Sequence, residues 1–401
     1  MLEELFEIQI EAAASVDLSF KRYLYDRIDW GTRLFCIVGA RGVGKTTLLL
    51  QSYREKYRSP EECLYISADN IKVAAWGLFD IASEFFKTGG LFLIIDEIHK
   101  YPSWARELKN IYDSFPKAKI AITGSSSLGL LGGKHDFSRR MMVYYLKGLS
   151  FREYLQLETG ASFKTHSIEE IVRSHVSIAS SVRGKTSVLK YFKEYLNSGY
   201  YPFYLEGREQ YHVKLNNVVE KVLSEDIPAL FGLKASSVPL LRKLIYLIAT
   251  SQPFTPNMER ISSQLGISRE YAYHYLDYLE KAGIFAAVYP DAQGLKLVRK
   301  PQKVYLENPN LFYAVLGAVG FRSEIGAVRE SFFLNQAGAL HKVAGGDAAD
   351  FVVDGRYHVE VGGTGKDRKQ VAGKKNSFIA ADGLEIGAKD KIPLWLMGFL
   401  Y

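Results

Sequence analysis

Short apolar runs alternate with helical patterns over the first part of the chain. Between residues 34 and 150, five apolar runs are separated by stretches whose apolar positions recur with helical spacing. Runs that alternate with helices are typical of a parallel sheet with helices on both faces. We therefore predict an α/β fold with strands at Leu34–Val38, Cys63–Ser67, Leu91–Ile95, Lys119–Thr123 and Met142–Leu146.

Residues 151–250 carry mainly helical patterns, and a helix–turn–helix pattern follows them. A helix over Met258–Leu265 is separated by a short turn from a second helix, which Ser268 can cap and which runs to Lys281. Two β-like runs come next, at Ile284–Tyr289 and Leu295–Val298. Two helices followed by a β-hairpin predict a winged helix.

The C-terminal part of the chain returns to an α/β pattern. A helix is expected near residues 326–341, followed by strands that begin at Asp350 and Tyr357. The chain is therefore predicted to contain four segments: an α/β core at 1–150, a helical linker or lid at 151–250, a winged helix at 251–310 and a small α/β domain at 311–401.

Composition excludes some classes of protein. Of the 401 residues, 47% are hydrophobic and 24% charged, which is ordinary for globular domains and argues against long disordered stretches. No apolar run approaches the roughly 20 residues that a membrane span needs. A net charge of +7 permits nucleic-acid binding without requiring it. Cys36 and Cys63 are expected to be buried thiols rather than a disulfide, which fits a reducing cytoplasm.

The first candidate site is the glycine-rich loop after the first predicted strand. It matches the phosphate-binding pattern G-x-x-x-x-G-K-[ST] in full. Glycines let backbone N–H groups turn inward around phosphate oxygens, and the positive end of the following helix points at them. Lys45 is expected to reach the β- and γ-phosphates, and the Thr46 hydroxyl to bind Mg²⁺. The expected nucleotide-binding residues are Gly39, Ala40, Arg41, Gly42, Val43, Gly44, Lys45, Thr46 and Thr47.

The second candidate site is the pair of carboxylates that ends the third predicted strand. Asp96 and Glu97 follow the apolar run Leu91–Ile95, which is the pattern of a Walker B strand. Asp96 is expected to hold Mg²⁺ through water, and Glu97 to orient or deprotonate the attacking water. The chain has no Asn-Lys-x-Asp guanine signature, which favours ATP over GTP.

Further polar groups are candidates for contact with the γ-phosphate. The fourth predicted strand ends near Ser125, our preferred sensor residue, with Thr123 as the alternative. Arg139 and Arg140 are candidates for an arginine that stabilises transition-state charge in trans, and a solvated pair is the alternative. His99 is expected to cap or pack rather than to couple to hydrolysis.

Several runs of residues carry a resemblance to a known family. These runs are Asp96–Trp104, Ile122–Ser127, Leu149–Tyr154, Tyr195–Pro202 and Lys300–Tyr305. Over nearly the whole chain, the sequence resembles the predicted AAA+ superfamily ATPases of bacteria and archaea. The resemblance implies an AAA-type P-loop NTPase core in the first segment, followed by a helical linker and a winged helix. It also implies a C-terminal domain of unknown function similar to PD-(D/E)xK nucleases.

The nuclease-like segment departs from the expected pattern. A PD-(D/E)xK site uses acids that hold a divalent metal and a lysine that assists the attacking water. Glu330, Asp350 and Glu360 supply the acids, but the lysine expected two residues after Glu360 is absent. Lys366 or Lys369 would have to reach the site instead. We expect a degenerate site with a structural or DNA-docking role and no nuclease activity.

Our preferred interpretation is Mg²⁺-dependent ATP binding and hydrolysis that drives a conformational switch. The protein is expected to be cytoplasmic, with a protein partner, a homo-oligomer or DNA as its partners and no membrane association. Two alternatives stay open: a DNA-binding or DNA-processing protein with regulatory ATP, and a non-hydrolysing nucleotide-binding interaction module. The basic segment Lys296–Lys303 favours DNA contact, whereas the near-neutral helix Ser268–Lys281 does not.

Overall fold

The computed structural model describes residues 1–124, 137, 139–250, 255–291, 301–318, 320, 325–347, 349–367 and 373–401. Within them the chain divides into an N-terminal unit, Met1–Gly148, and a C-terminal unit, Leu149–Tyr401. No helix in the part of the chain that the structure describes is long and apolar enough to cross a membrane.

A parallel sheet forms the centre of the N-terminal unit. Its strands are β1 (Leu34–Val38), β2 (Cys63–Ser67), β3 (Phe92–Asp96), β4 (Lys119–Gly124) and β5 (Met142–Tyr145). They lie in the order β2-β3-β4-β1-β5, and all neighbouring pairs are parallel. This confirms the predicted α/β core of the P-loop type. Because β3, β4 and β1 are neighbours, the residues that follow them meet at the same edge of the sheet.

Helices cover this sheet and one of its edges. They are α1 (Leu2–Ala14), α2 (Lys45–Lys56), α3 (Ile71–Trp76), α4 (Leu78–Lys87) and α5 (Trp104–Ser114), with 3-10 turns at Tyr25–Arg27 and Ile98–Lys100. Gln9 of α1 is fully buried, donates to the Cys63 carbonyl at 2.8 Å and accepts from the Tyr65 N–H at 2.5 Å. One carboxamide thus occupies backbone groups on the outer side of β2, which would otherwise be an open edge.

The C-terminal unit begins with helices, in the region where helical patterns dominate the sequence. They are α6 (Phe151–Thr159), α7 (Ile168–Arg183), α8 (Val188–Ser198), α9 (Tyr211–Lys221), α10 (Ile227–Phe231) and α11 (Val238–Thr250). Shorter 3-10 or π turns lie at Pro202–Glu206, Val222–Asp226 and Ala235–Ser237. The buried side chains of α8, among them Phe192 and Tyr195, are part of the aromatic core of this unit.

The elements predicted as a winged helix follow in the expected order. They are α12 (Met258–Leu265), α13 (Arg269–Lys281), β6 (Phe285–Val288) and β7 (Lys303–Leu306), and Ser268 caps α13 through the Tyr271 N–H. The strand that pairs antiparallel with β6 is β7, whereas the run predicted at Leu295–Val298 lies outside the described residues. The assignment as a winged helix stays a prediction.

A second sheet closes the C-terminal unit. Its strands are β8 (Val343–Ala344), β9 (Phe351–Val353), β10 (Tyr357–Gly362), β11 (Ser377–Ala381) and β12 (Lys391–Pro393). They lie in the order β12-β11-β10-β9-β8, and the two strands predicted near Asp350 and Tyr357 are β9 and β10, which pair antiparallel. Two further helices, α14 (Pro309–Gly317) and α15 (Ile325–Ala337), precede the sheet, and a 3-10 segment at Leu394–Phe399 follows it. Helix α15 packs against β10.

Candidate functional site

The glycine-rich loop connects β1 to α2 at the carboxyl edge of the first sheet. Gly44, which immediately precedes α2, has a φ of 95°, a left-handed conformation that favours glycine. A Cβ on Gly39 would lie 2.3 Å from the Leu146 carbonyl oxygen, so a side chain there would clash with backbone. Lack of space therefore selects glycine at Gly39, and backbone conformation favours it at Gly42 and Gly44.

Lys45 is directed back into this loop. Its Nζ donates to the carbonyls of Gly39 at 3.0 Å and Ala40 at 3.1 Å, and the residue is 5% exposed. Burial lowers the pKa of Lys45, while the carboxylates of Glu97 and Asp96 act in the opposite direction. The ammonium thus lies against the carbonyls of the phosphate loop, where it is in place to meet a phosphate.

Asp96 is the centre of a buried hydroxyl cluster at the end of β3. Its Oδ2 accepts from the Thr46 hydroxyl at 2.6 Å and from the Tyr65 hydroxyl at 3.0 Å, and its Oδ1 accepts from the Thr123 hydroxyl. The carboxylate is 3% exposed. Burial raises the pKa of Tyr65, so its hydroxyl stays protonated and donates.

The same cluster fits a magnesium ion by its chemistry. The Thr46 hydroxyl and the Asp96 carboxylate are 2.6 Å apart, and Mg²⁺ prefers oxygen ligands while keeping several of its waters. Both were predicted as metal-binding residues, and the structure brings them together. Among the residues that it describes, no group of three or more histidine, cysteine, aspartate or glutamate side chains is arranged to hold a metal ion, so any Mg²⁺ here would depend on water and phosphate oxygens as well.

Glu97 lies beside this cluster on a tight turn. Its φ of 51° is left-handed, and its N–H donates to the Thr123 hydroxyl at 2.9 Å. Its Oε2 is 3.6 Å from His99 Nε2. Burial, together with the positive charges of Lys100, Lys45 and Arg41, lowers the pKa of His99 to about 4, so the imidazole is neutral at neutral pH.

The structure separates the sensor candidates and the arginine candidates. Thr123 is fully buried and bonds both Asp96 and the Glu97 backbone, whereas Ser125, our preferred sensor, lies outside the described residues. Arg140 is half-buried, with its guanidinium 3.7 Å from the Asp113 carboxylate. Arg139 is exposed.

Arg22 donates hydrogen bonds to the phosphate loop and to the segment after β5, and it was not identified from the sequence. It is 6% exposed, and its guanidinium donates to the carbonyls of Val43 at 2.5 Å, Lys147 at 2.7 Å and Gly148 at 2.8 Å. Tyr65 was missed in the same way. Both residues contact partners that are distant in the sequence, and the one local signal was the Tyr65 hydroxyl in the largely apolar strand β2.

Apart from Arg22, the residues of this site fall within residues 31–155, which match the profile of a family described as an AAA domain. The phosphate loop and both carboxylates therefore belong to the part of the chain that matches an AAA domain. The AAA+ resemblance drawn from the sequence is thereby confirmed for this part of the chain, and a capacity to bind nucleotide in general goes with it. Residues 189–321 match a second family, described as a domain of unknown function (DUF8612).

Proteins that are similar over most of the chain say less about its function than the match to an AAA domain. An uncharacterized protein of Methanocaldococcus jannaschii is 28% identical over an alignment of 388 residues, and the match covers 90% of this chain and 81% of the relative. Similar solved structures include AMPPCP-bound DnaA from Aquifex aeolicus (16% identity, 68% of this chain and 86% of that chain, TM-score 0.26). PCH-2 of C. elegans (14%, 69% and 68%, TM-score 0.25) and Drosophila ORC bound to DNA (11%, 80% and 98%, TM-score 0.29) are further examples. At such TM-scores these likenesses support no conclusion about function.

A second group of charged side chains lies in the C-terminal unit. Glu330 of α15, Asp350 before β9 and Glu360 of β10 are the three acids predicted from the nuclease resemblance. Burial raises the pKa of Glu330 and of Glu360, and the nearby Asp350 carboxylate adds to both shifts. Glu360 is fully buried, and the Asp350 carboxylate accepts from the Val361 N–H at 3.0 Å. The fold thus brings the three acids together.

Two lysines form ion pairs with this acidic group. Lys303 Nζ is 3.1 Å from Asp350 Oδ1 and 3.4 Å from Glu330 Oε2, and Lys366 Nζ is 2.8 Å from Glu360 Oε2 and 3.8 Å from Asp350 Oδ2. The sequence left Lys366 open as a replacement lysine, and the structure places it there, while Lys369 lies outside the described residues. Lys303 was interpreted as part of a DNA-contacting segment, but its charge is engaged within the C-terminal unit.

Proposed function

We propose that the AAA domain binds Mg²⁺-ATP and hydrolyses it. The observation that carries this proposal is the contact of Asp96 with Thr46 and Thr123 beside the inward-facing Lys45. Lys45 and the loop N–H groups would bind the phosphates. Thr46 and Asp96 would hold Mg²⁺, which would neutralise charge on the phosphates. Glu97 would accept the proton of the attacking water.

Turnover of ATP by the purified full-length chain tests this proposal. The wild type should release phosphate in a Mg²⁺-dependent manner, and Glu97→Gln should lower kcat by about a hundredfold or more while nucleotide still binds. Lys45→Ala should lose nucleotide binding. Glu84→Gln, an exposed glutamate of α4, is the matched control and should behave as the wild type. Binding without turnover under all conditions would instead support a non-hydrolysing interaction module.

We further propose that Arg139, rather than Arg140, completes the site of a neighbouring copy. Arg139 is exposed, whereas the Arg140 guanidinium lies against Asp113 of its own unit. An arginine at the γ-phosphate contributes to turnover and much less to binding. Arg139→Ala should therefore lose turnover and keep nucleotide affinity, whereas Arg140→Ala should keep both.

Mixing variants tests whether this arginine acts in trans. Lys45→Ala lacks a competent nucleotide site but retains Arg139, and Arg139→Ala has the opposite defect. Equimolar mixing of the two inactive variants should restore part of the turnover if one copy completes the site of another. The assignment would be reversed if this mixture stayed inactive while a mixture of Lys45→Ala with an inactive Arg140→Ala regained turnover.

We also propose that hydrolysis drives a conformational switch and that the protein contacts DNA. Net charge of +7 and the basic residues Lys296, Arg299 and Lys300 favour a DNA-associated role, although Lys303 is engaged in ion pairs. Duplex binding should then weaken as salt rises, and a variant with Arg299→Ala and Lys300→Ala should show a shallower salt dependence. Binding that is unchanged in this variant, or absent at low salt, would count against DNA.

The acidic group of the C-terminal unit is proposed to be structural rather than nucleolytic. Lys303 and Lys366 already pair with its three acids, so the net charge available to hold a divalent metal is small. Plasmid DNA incubated with the protein and Mg²⁺ or Mn²⁺ should stay intact. Cleavage that disappears in Glu360→Gln but not in Glu385→Gln, an ion-paired glutamate outside the group, would overturn this proposal.

A further inference from the structure

The backbone of Glu97 is held more firmly than its carboxylate. The residue lies in the left-handed region, which non-glycine residues rarely adopt, and its N–H donates to the Thr123 hydroxyl at 2.9 Å. That hydrogen bond fixes where the side chain starts. The side chain still has rotatable bonds beyond Cβ, so a further contact is needed to decide where the carboxylate points.

Two groups can attract this carboxylate. One is the Lys45 ammonium, whose pKa is lowered by burial and raised by the charge of Glu97. The other is His99 in the turn Ile98–Lys100, whose Nε2 lies 3.6 Å from Glu97 Oε2, just beyond hydrogen-bond distance. The His99 side chain is 9% exposed, so it has little freedom to turn away, whereas the Glu97 side chain is 21% exposed.

We infer that His99 is a positioning residue for Glu97: its Nε2–H faces the carboxylate and keeps it from folding onto Lys45. This inference rests on the proposed ATP hydrolysis. A carboxylate paired with the ammonium would be a weaker base and would also withhold Lys45 from the phosphates. A neutral imidazole donor orients the carboxylate without cancelling its charge. This role goes beyond the capping or packing role expected from the sequence.

Two substitutions of His99 separate positioning from packing. His99→Gln keeps an N–H donor on a side chain of similar length, and His99→Leu keeps apolar bulk without a donor. His99→Leu should lower kcat by about tenfold to a hundredfold and leave the KM for ATP within about twofold. His99→Gln should recover most of the loss. Equal losses in the two variants, or a loss confined to KM, would overturn the inference.

A double-variant cycle asks whether His99 acts through Glu97. Once Glu97→Gln has removed the base, adding His99→Leu should lower the residual turnover by less than about twofold. A residue that merely supports the fold would lower turnover to the same extent in both backgrounds. A further loss of about tenfold or more in the Glu97→Gln background would therefore refute a positioning role.

A spectroscopic measurement decides the inference even if the chain hydrolyses no ATP. In full-length protein labelled with ¹⁵N-histidine, the His99 resonances, assigned through His99→Gln, should show a neutral ring protonated at Nε2. Glu97→Gln should shift the Nε2 signal, and the control Glu84→Gln should not. Absence of turnover with this pattern intact would refute the proposed hydrolysis alone, whereas an Nε2 that is unprotonated or unaffected by Glu97→Gln would refute the inference.

Discussion

Replacing Thr123 by valine removes one hydroxyl from the centre of the candidate site and keeps nearly the same shape. That hydroxyl accepts from the Glu97 N–H at 2.9 Å and donates to the Asp96 carboxylate, and Thr123 is fully buried. A lost hydrogen bond to a neutral backbone group costs about 1 kcal/mol, and one to a buried charge about 2 kcal/mol. Since Asp96 keeps Thr46 and Tyr65 on its other oxygen, we expect Thr123→Val to destabilise the N-terminal unit by about 3 kcal/mol.

Urea unfolding of the full chain, followed by tryptophan fluorescence, measures this change. Three of the four tryptophans, Trp30, Trp76 and Trp104, lie in the N-terminal unit, so its transition dominates the signal. Thr123→Ser is the matched control, because it keeps the hydroxyl and loses one methyl group, worth about 1 kcal/mol. A valine variant within about 0.5 kcal/mol of the wild type, or a serine variant as unstable as the valine variant, would refute the reasoning.

Two further changes test the contacts that hold each unit. Gln9→Leu removes both hydrogen bonds to the outer side of β2, at Cys63 and Tyr65, and should lower the free energy of unfolding by about 2 kcal/mol in urea, whereas Glu7→Gln at an exposed position of the same helix should not. Lys303→Met leaves Glu330 without its cation, so the already raised pKa of that acid should rise further. Because an acid with a raised folded pKa loses stability as pH rises through that pKa, the variant should be closer to the wild type at about pH 5 than at about pH 7, and a pH-independent difference would contradict the assigned ion pair.

Much of the fold could be predicted from the sequence, because local patterns of apolar and polar residues identify single helices and strands. The five apolar runs became β1 to β5, with ends within a residue of those predicted. Burial on both faces explains the uninterrupted apolar runs of β1 to β4, whereas β5 is a partly exposed edge strand. The two strands that begin near Asp350 and Tyr357 were also predicted, and in the structure they pair as β9 and β10. The strand that pairs with β6 was not predicted. It lies at Lys303–Leu306, at the end of a basic segment that we had interpreted as a DNA contact.

Two side chains of the candidate site could not be predicted from local sequence patterns. Tyr65 and Arg22 contact partners that are 21 to 126 residues away along the chain. Which strands are neighbours decides these contacts, and the order β2-β3-β4-β1-β5 is not written in any one segment. The same holds for Lys303, which joins Glu330 and Asp350 only after the C-terminal unit has folded.

By itself, the sequence determined the phosphate loop and the two carboxylates after β3, because glycine conformations, a helix start and a strand end are set by neighbouring residues. Tertiary structure decided what surrounds them. It placed Tyr65 and Thr123 on Asp96, turned His99 toward Glu97, and left Arg139 exposed while Arg140 contacts Asp113. The physical reason is that a carboxylate's protonation and direction depend on the charges and donors within a few ångströms of it, and only the packing of distant segments supplies those neighbours.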